Sequence, residues 1–114
     1  MMYEYNAVVV GVYDGDTITV DVDLGLHAWV RGEKLRLYGI NAPEVRGSER
    51  QEGLRSRDWL RDRLPIGQAI RINTVKDRTG KYGRYLAIVY ADRETEISVN
   101  CELVTAGLAS YAEY

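Results

Sequence analysis

Hydrophobic and polar residues alternate with a period of two along the front of the chain. Ile18, Val20, Val22 and Leu24 fall on one face, and Thr17, Thr19, Asp21 and Asp23 on the other. That is the pattern of a strand with one side on a core. The valine-rich stretch 5–13 precedes it across Asp14-Gly15, a turn dipeptide, so the two predict a hairpin with Asp16 just past its turn. Residues 25–32 read as a loop or hairpin end. Residues 33–40 read as a third strand, stopped at Asn41-Ala42-Pro43 because proline has no N–H to give to a ladder.

The period then changes. Residues 48–64 predict a helix: Ser48 is placed to cap it, Leu60 and Leu64 lie one turn apart, and Pro65 and Gly67 end it. Residues 69–76 predict a fourth strand, 77–83 a turn-rich loop, and 84–91 a fifth strand. Residues 98–106 predict a second helix, closed by Gly107 at the position after its cap. The fold class is mainly β with helices (α+β). The order βββ-α-ββ-α predicts a five-stranded OB-fold β-barrel, although a layered α+β sandwich shares that order. No repeat, linker or low-complexity tract divides the chain, so residues 1–114 are expected to form one domain.

With 46% hydrophobic residues, the chain has enough apolar material for a core. Its single cysteine, Cys101, excludes an internal disulfide and reads as a small buried residue of the second helix. No basic start followed by an apolar run marks a leader. No stretch approaches the ~20 apolar residues that cross a bilayer, so a cytoplasmic protein without membrane association is the default expectation. The net charge of −2 argues against a general nucleic-acid coat. The charge is uneven, however: residues 46–84 are predominantly basic and both flanks are acidic. A local anion site beside a local cation site explains this. A solvated helix face also explains it, and is the preferred reading for most of Arg55, Arg57, Arg61 and Arg63, which interleave with Asp58 and Asp62.

Two features carry chemistry. Antiparallel pairing sets the start of the second strand beside the end of the third, which brings Asp16, Asn41 and Glu44 toward one another. Carboxylate and amide oxygens gathered in this way suit a hard cation such as Ca2+. An ordinary Asp-Gly turn and a solvated glutamate leave the same trace. Arg36 lies within Leu35-Arg36-Leu37-Tyr38, where a guanidinium is costly unless an anion meets it. Arg84 follows Lys81-Tyr82-Gly83 at the start of the last strand. Two arginines beside a cation make a clamp for phosphate oxygens; a structural ion pair is the alternative reading of Arg36 and of Arg84.

Three blocks resemble the staphylococcal nuclease family. Tyr13-Asp14-Gly15-Asp16-Thr17 is similar to its D-G-D-T turn. Arg36-Leu37 through Asn41-Ala42-Pro43-Glu44 is similar to its R-L…D-[TA]-P-E stretch. Thr79-Gly80-Lys81-Tyr82-Gly83-Arg84 is similar to its D-K-Y-G-R loop. The blocks stand in family order with family-like spacing, and a weaker fourth runs from Asn100 to Ala109. The resemblance implies a Ca2+-dependent phosphodiesterase, an endonuclease that hydrolyses single-stranded or locally melted DNA and RNA to 3′-phosphate ends. It implies that Asp16, Asn41 and the backbone carbonyl of Ala42 hold the ion, and that Glu44 acts as general base. It also implies that Arg36 and Arg84 stabilise the phosphate in the transition state, and that Lys81 and Tyr82 contact a terminal phosphate. A monomer is expected. The competing reading is a nucleic-acid or protein-binding module on the same barrel with a weakened site; retention of Asp16, Arg36, Glu44 and Arg84 favours the enzyme.

The chain also departs from the family pattern. Asn41 stands where a carboxylate is common, which predicts weaker Ca2+ binding, with Asp14 placed to assist from behind the ligands. Gly80 stands where aspartate is common. The family's third helix is expected to be absent or short, so its base-stacking aromatics lack sure counterparts, with Tyr111 and Tyr114 as candidates. His27 reads as a surface loop residue, and Trp29 and Trp59 as packing residues.

Overall fold

The computed structural model describes residues 2–79 and 85–112, with side chains for 3–75 and 85–112. In chain order the elements are β1 (Met2–Asp14), β2 (Thr17–Gly25), β3 (Ala28–Leu37), β4 (Ile40–Asn41), α1 (Arg50–Arg63), β5 (Ala69–Thr79), β6 (Tyr85–Tyr90), α2 (Val99–Thr105) and β7 (Ser110–Tyr111). Five strands close a barrel in the order β1-β2-β3-β6-β5, and β4 and β7 form a separate short antiparallel pair. Neighbours in the barrel are antiparallel except β3 and β6, which run parallel through Leu35↔Tyr85, Arg36↔Leu86 and Leu37↔Ala87. The architecture is the α+β, OB-type barrel that the element order predicts.

The alternation in β2 does what its period implies. Ile18, Val20 and Val22 point inward, where they meet Val9, Leu35, Leu37, Ile72 and Val89 in a buried core. Leu60 from α1 and Leu64 just after it, and Val99 and Leu103 from α2, cover it. Removing each such side chain from water contributes about 1.5–3 kcal/mol, and this is the force that seats both helices.

Several boundaries differ from the sequence reading. The loop expected over 25–32 shrinks to the two-residue turn Leu26-His27, whose φ angles are 55° and 64°, and β3 already starts at Ala28. Residues 28–32 are solvent-exposed on both faces, so they carry no alternation to read. Trp29 belongs to this exposed ribbon, with the Arg31 guanidinium 4.9 Å from its ring centroid, and is not a core packing residue. The third strand breaks at Leu37, where Tyr38 and Gly39 turn the chain (Gly39 φ 79°) before β4. Ser48 lies in a 3₁₀ turn (Gly47–Glu49) and does not cap α1, which starts behind Glu49 with no side-chain cap. β5 continues past residue 76 to Thr79.

The second helix ends as predicted. Ser98 Oγ accepts from Cys101 N–H at 3.1 Å. At the other end Gly107, at φ 75°, donates to the carbonyl of Val104, and Leu108 donates to that of Leu103; this is a Schellman closure. Cys101 is exposed rather than buried, because the face of this short helix that meets the barrel belongs to Val99, Asn100 and Leu103.

Candidate active site

The β1–β2 turn sets the first site residue. Asp14 Oδ1 accepts from the backbone N–H of Asp16 at 3.1 Å, a side-chain-closed turn of the kind aspartate favours. The carbonyl of Asp16 accepts from Leu37 N–H at 2.8 Å, and Thr17 pairs with Arg36. The turn is thereby fastened to the end of β3. Two glycines then allow very close packing. A Cβ on Gly15 would stand 2.7 Å from the Cβ atoms of Ala42 and Ser56, and one on Gly53 would stand 2.0 Å from the carbonyl oxygen of Glu44. Helix α1 therefore rests directly on the backbone that carries Glu44. Sequence reasoning missed Gly53 as a positioning residue, and the available signal was a lone glycine inside a helical pattern.

Asp16 lies at the centre, 7% exposed. Its Oδ2 accepts from Ala42 N–H at 2.9 Å and lies 3.5 Å from Arg36 Nη2, while Oδ1 accepts from the Thr17 hydroxyl at 3.3 Å. Arg36 Nη2 also donates to the Ile40 carbonyl at 3.3 Å and to Asn41 Oδ1. The anion that Arg36 needs inside its apolar run is thus Asp16, and the Tyr38-Gly39 turn folds Asn41 back onto the same guanidinium. Asp14, Asp16, Arg36, Asn41, Ala42 and Glu44 all line one cleft of about 840 Å³. At Ala42 the contact shown is the N–H to Asp16, not one through the carbonyl. Lys81, Tyr82 and Arg84 lie outside the described residues.

The cleft concentrates negative charge. Burial, and then the adjacent charge of Asp16, push the carboxyl of Asp14 up to about 6 from its ordinary 3.8. Carboxylates that resist joint ionisation mark a place where a cation is welcome.

A family profile described as "Staphylococcal nuclease homologue" matches residues 34–114. The chain belongs to the staphylococcal nuclease family. The thermonuclease of Staphylococcus hyicus is 32% identical over 104 residues, a match covering 89% of this chain and 56% of that protein. The chain thus spans little more than half the length of that curated relative. The profile includes Arg36, Asn41, Ala42 and Glu44 but starts after Asp16, which the barrel register returns to Arg36.

Staphylococcal nuclease homologues are typically Ca2+-dependent, and the donor set of the cleft can be weighed against that ion. Among the described residues no three carboxylates, imidazoles or thiolates converge as a ready cage. The cleft instead offers the carboxylates of Asp16 and Glu44 with the amide oxygen of Asn41. An all-oxygen set of low charge, open to water, fits a hard cation held at modest affinity. Asp16 and Asn41 would hold it, and it would polarise a phosphoryl oxygen.

Proposed function

We propose that the protein is a Ca2+-dependent phosphodiesterase that cleaves single-stranded or locally melted DNA and RNA, leaving 3′-phosphate ends. The observation that carries this reading is the convergence of Asp16, Arg36, Asn41 and Glu44 on one cleft. The roles follow from the groups themselves. Glu44, accessible to water on the cleft wall, takes the proton from the attacking water. Arg36, fixed by Asp16 and the Ile40 carbonyl, presents a planar donor fork to the equatorial phosphate oxygens. Asp16 and Asn41, with the backbone carbonyl of Ala42, would hold the ion. Arg84 is assigned the second phosphate contact, and Lys81 and Tyr82 the terminal phosphate, on the family blocks alone.

The test is digestion of single-stranded DNA and RNA, with Ca2+ or with a chelator, beside a Glu44→Gln variant. The wild type is expected to cut only with Ca2+, and the variant to lose about 10²–10⁴-fold in kcat. Equal rates in the two proteins remove Glu44 from the mechanism. Tight binding with no cleavage at saturating Ca2+ replaces the enzyme with a binding module.

A further inference from the structure

The rim of the cleft carries a side chain that the chemistry above does not use. Tyr13 stands at a β-bulge: the pairing of β1 with β2 passes from Val12↔Ile18 directly to Asp14↔Thr17. The skipped residue is turned outward, 54% exposed, in keeping with the use of bulges to re-aim side chains next to sites. Its hydroxyl accepts from Arg46 Nη2 at 2.9 Å, and both residues line the cleft with Asp16 and Glu44.

Arg61 approaches from α1. Its Nε and Nη2 donate to the carbonyl of Val12, the residue before Tyr13, at 3.3 and 3.1 Å. A carbonyl takes up donors without cancelling charge. Among the described residues Arg61 makes no ion pair, whereas Arg57 is held by Asp58 and Arg63 by Glu102. An exposed ring at the edge of the cleft therefore has one guanidinium on its hydroxyl and a second on the backbone carbonyl just before it. Single-stranded nucleic acids bind through these elements: bases stack on aromatic faces and phosphates lie on cations.

We propose that Tyr13, Arg46 and Arg61 form an accessory subsite for a nucleotide flanking the phosphate to be cut. The proposal rests on the nuclease reading of the cleft for its ligand class, a single-stranded nucleic acid. Tyr13 takes the base on its ring, and Arg46 and Arg61 take neighbouring phosphates. The subsite makes binding depend on strand length, because a substrate too short to reach the rim gains nothing from it.

The experiment measures fluorescence anisotropy of a labelled dinucleotide and a labelled octanucleotide, bound to Glu44→Gln protein in Ca2+. The octanucleotide is expected to bind more tightly, and Tyr13→Ala to weaken it about tenfold. Tyr13→Phe keeps the ring and is expected to retain most of that affinity. Arg61→Ala is expected to reduce the slope of log affinity against log salt by about 0.7, one phosphate contact on a single strand. Octanucleotide affinity unchanged within about twofold in both Tyr13→Ala and Arg61→Ala, with melting curves showing folded protein, overturns the subsite. Digestion of the octanucleotide by protein retaining Glu44 separates the two ideas. Cleavage with no dependence on Tyr13 removes the subsite and keeps the nuclease. Tyr13-dependent binding without cleavage keeps the subsite and removes the nuclease.

Discussion

Asp16 satisfies four demands at once: it accepts from Ala42 N–H, from the Thr17 hydroxyl and from Leu37 N–H, and it faces Arg36. The neighbouring Asp14 shows the cost of placing a second carboxylate there. Its carboxyl is raised from 3.8 to about 6 by burial and by Asp16. Between those values the folded protein holds more protons than the unfolded chain. The metal-free fold is therefore expected to lose stability as pH rises from about 3.8 to about 6. Solvent screening of this partly exposed group limits the loss to on the order of 1 kcal/mol. Urea unfolding across that range in chelator checks it: the wild type minus Asp14→Asn difference should carry the slope, and saturating Ca2+ should flatten it. Asn41 permits a sharper test. Asn41→Asp adds a formal charge to the ligand set and is expected to tighten Ca2+ binding about tenfold by calorimetric titration; an unchanged affinity would remove residue 41 from the ion's ligands. Asp16, Arg36, Asn41 and Glu44 were legible because they stand in motif blocks. The bulge that turns out Tyr13 and the upward shift of the Asp14 carboxyl were not, since both arise from neighbours that only the folded register supplies.

Among the elements, α1 matters most for the site. Glycine inside an exposed helix costs roughly 1 kcal/mol relative to alanine, so Gly53 looks like a defect in the sequence. Its place against the Glu44 carbonyl inverts that reading. Gly53→Ala is expected to destabilise the protein by about 1–3 kcal/mol despite its better helix propensity, because a Cβ 2.0 Å from a carbonyl oxygen forces helix and loop apart. The same displacement moves Glu44, so kcat is expected to fall about 10²-fold. A variant with a higher Tm and unchanged kcat would show that the contact relaxes without consequence. The helices and inward-facing strands were readable because each buries one face and writes that period into its residues. The far end of the β2–β3 hairpin was not readable, because residues 28–32 are exposed on both faces. Its turn at Leu26-His27 lacks the glycine and asparagine that announce positive φ. Ser48 failed as a cap because a 3₁₀ turn intervenes before α1.

For the whole molecule, the weak point of the barrel is the seam between β3 and β6, the one parallel pair among the described residues. Their register ends at Leu37↔Ala87, where β3 turns away toward Asn41. Beyond that point the β6 backbone has lost its strand neighbour on one side. Asn100 from α2 takes that place: its Oδ1 accepts from Val89 N–H at 3.0 Å, and its Nδ2 donates to the carbonyls of Tyr38 and Ala87 at 2.9 and 3.1 Å. A side chain only 4% exposed thus completes the ladder and holds the turn that carries Asn41 to Arg36. This role is invisible in the chain order, which shows only an asparagine near the start of a short helix. Asn100→Ala strands Val89 N–H in the interior, whereas the Ala87 carbonyl keeps the N–H of Tyr38. At about 1–3 kcal/mol for a buried group left without a partner, a loss of about 1–3 kcal/mol is expected, an appreciable part of the margin by which a small domain stays folded. Urea unfolding measures it, and hydrogen exchange should show the Tyr38-Gly39 turn and β6 opening before β1 and β2. If exchange instead quickens evenly over all five strands, the seam is not the point at which the barrel opens, and Asn100 contributes stability without positioning the site.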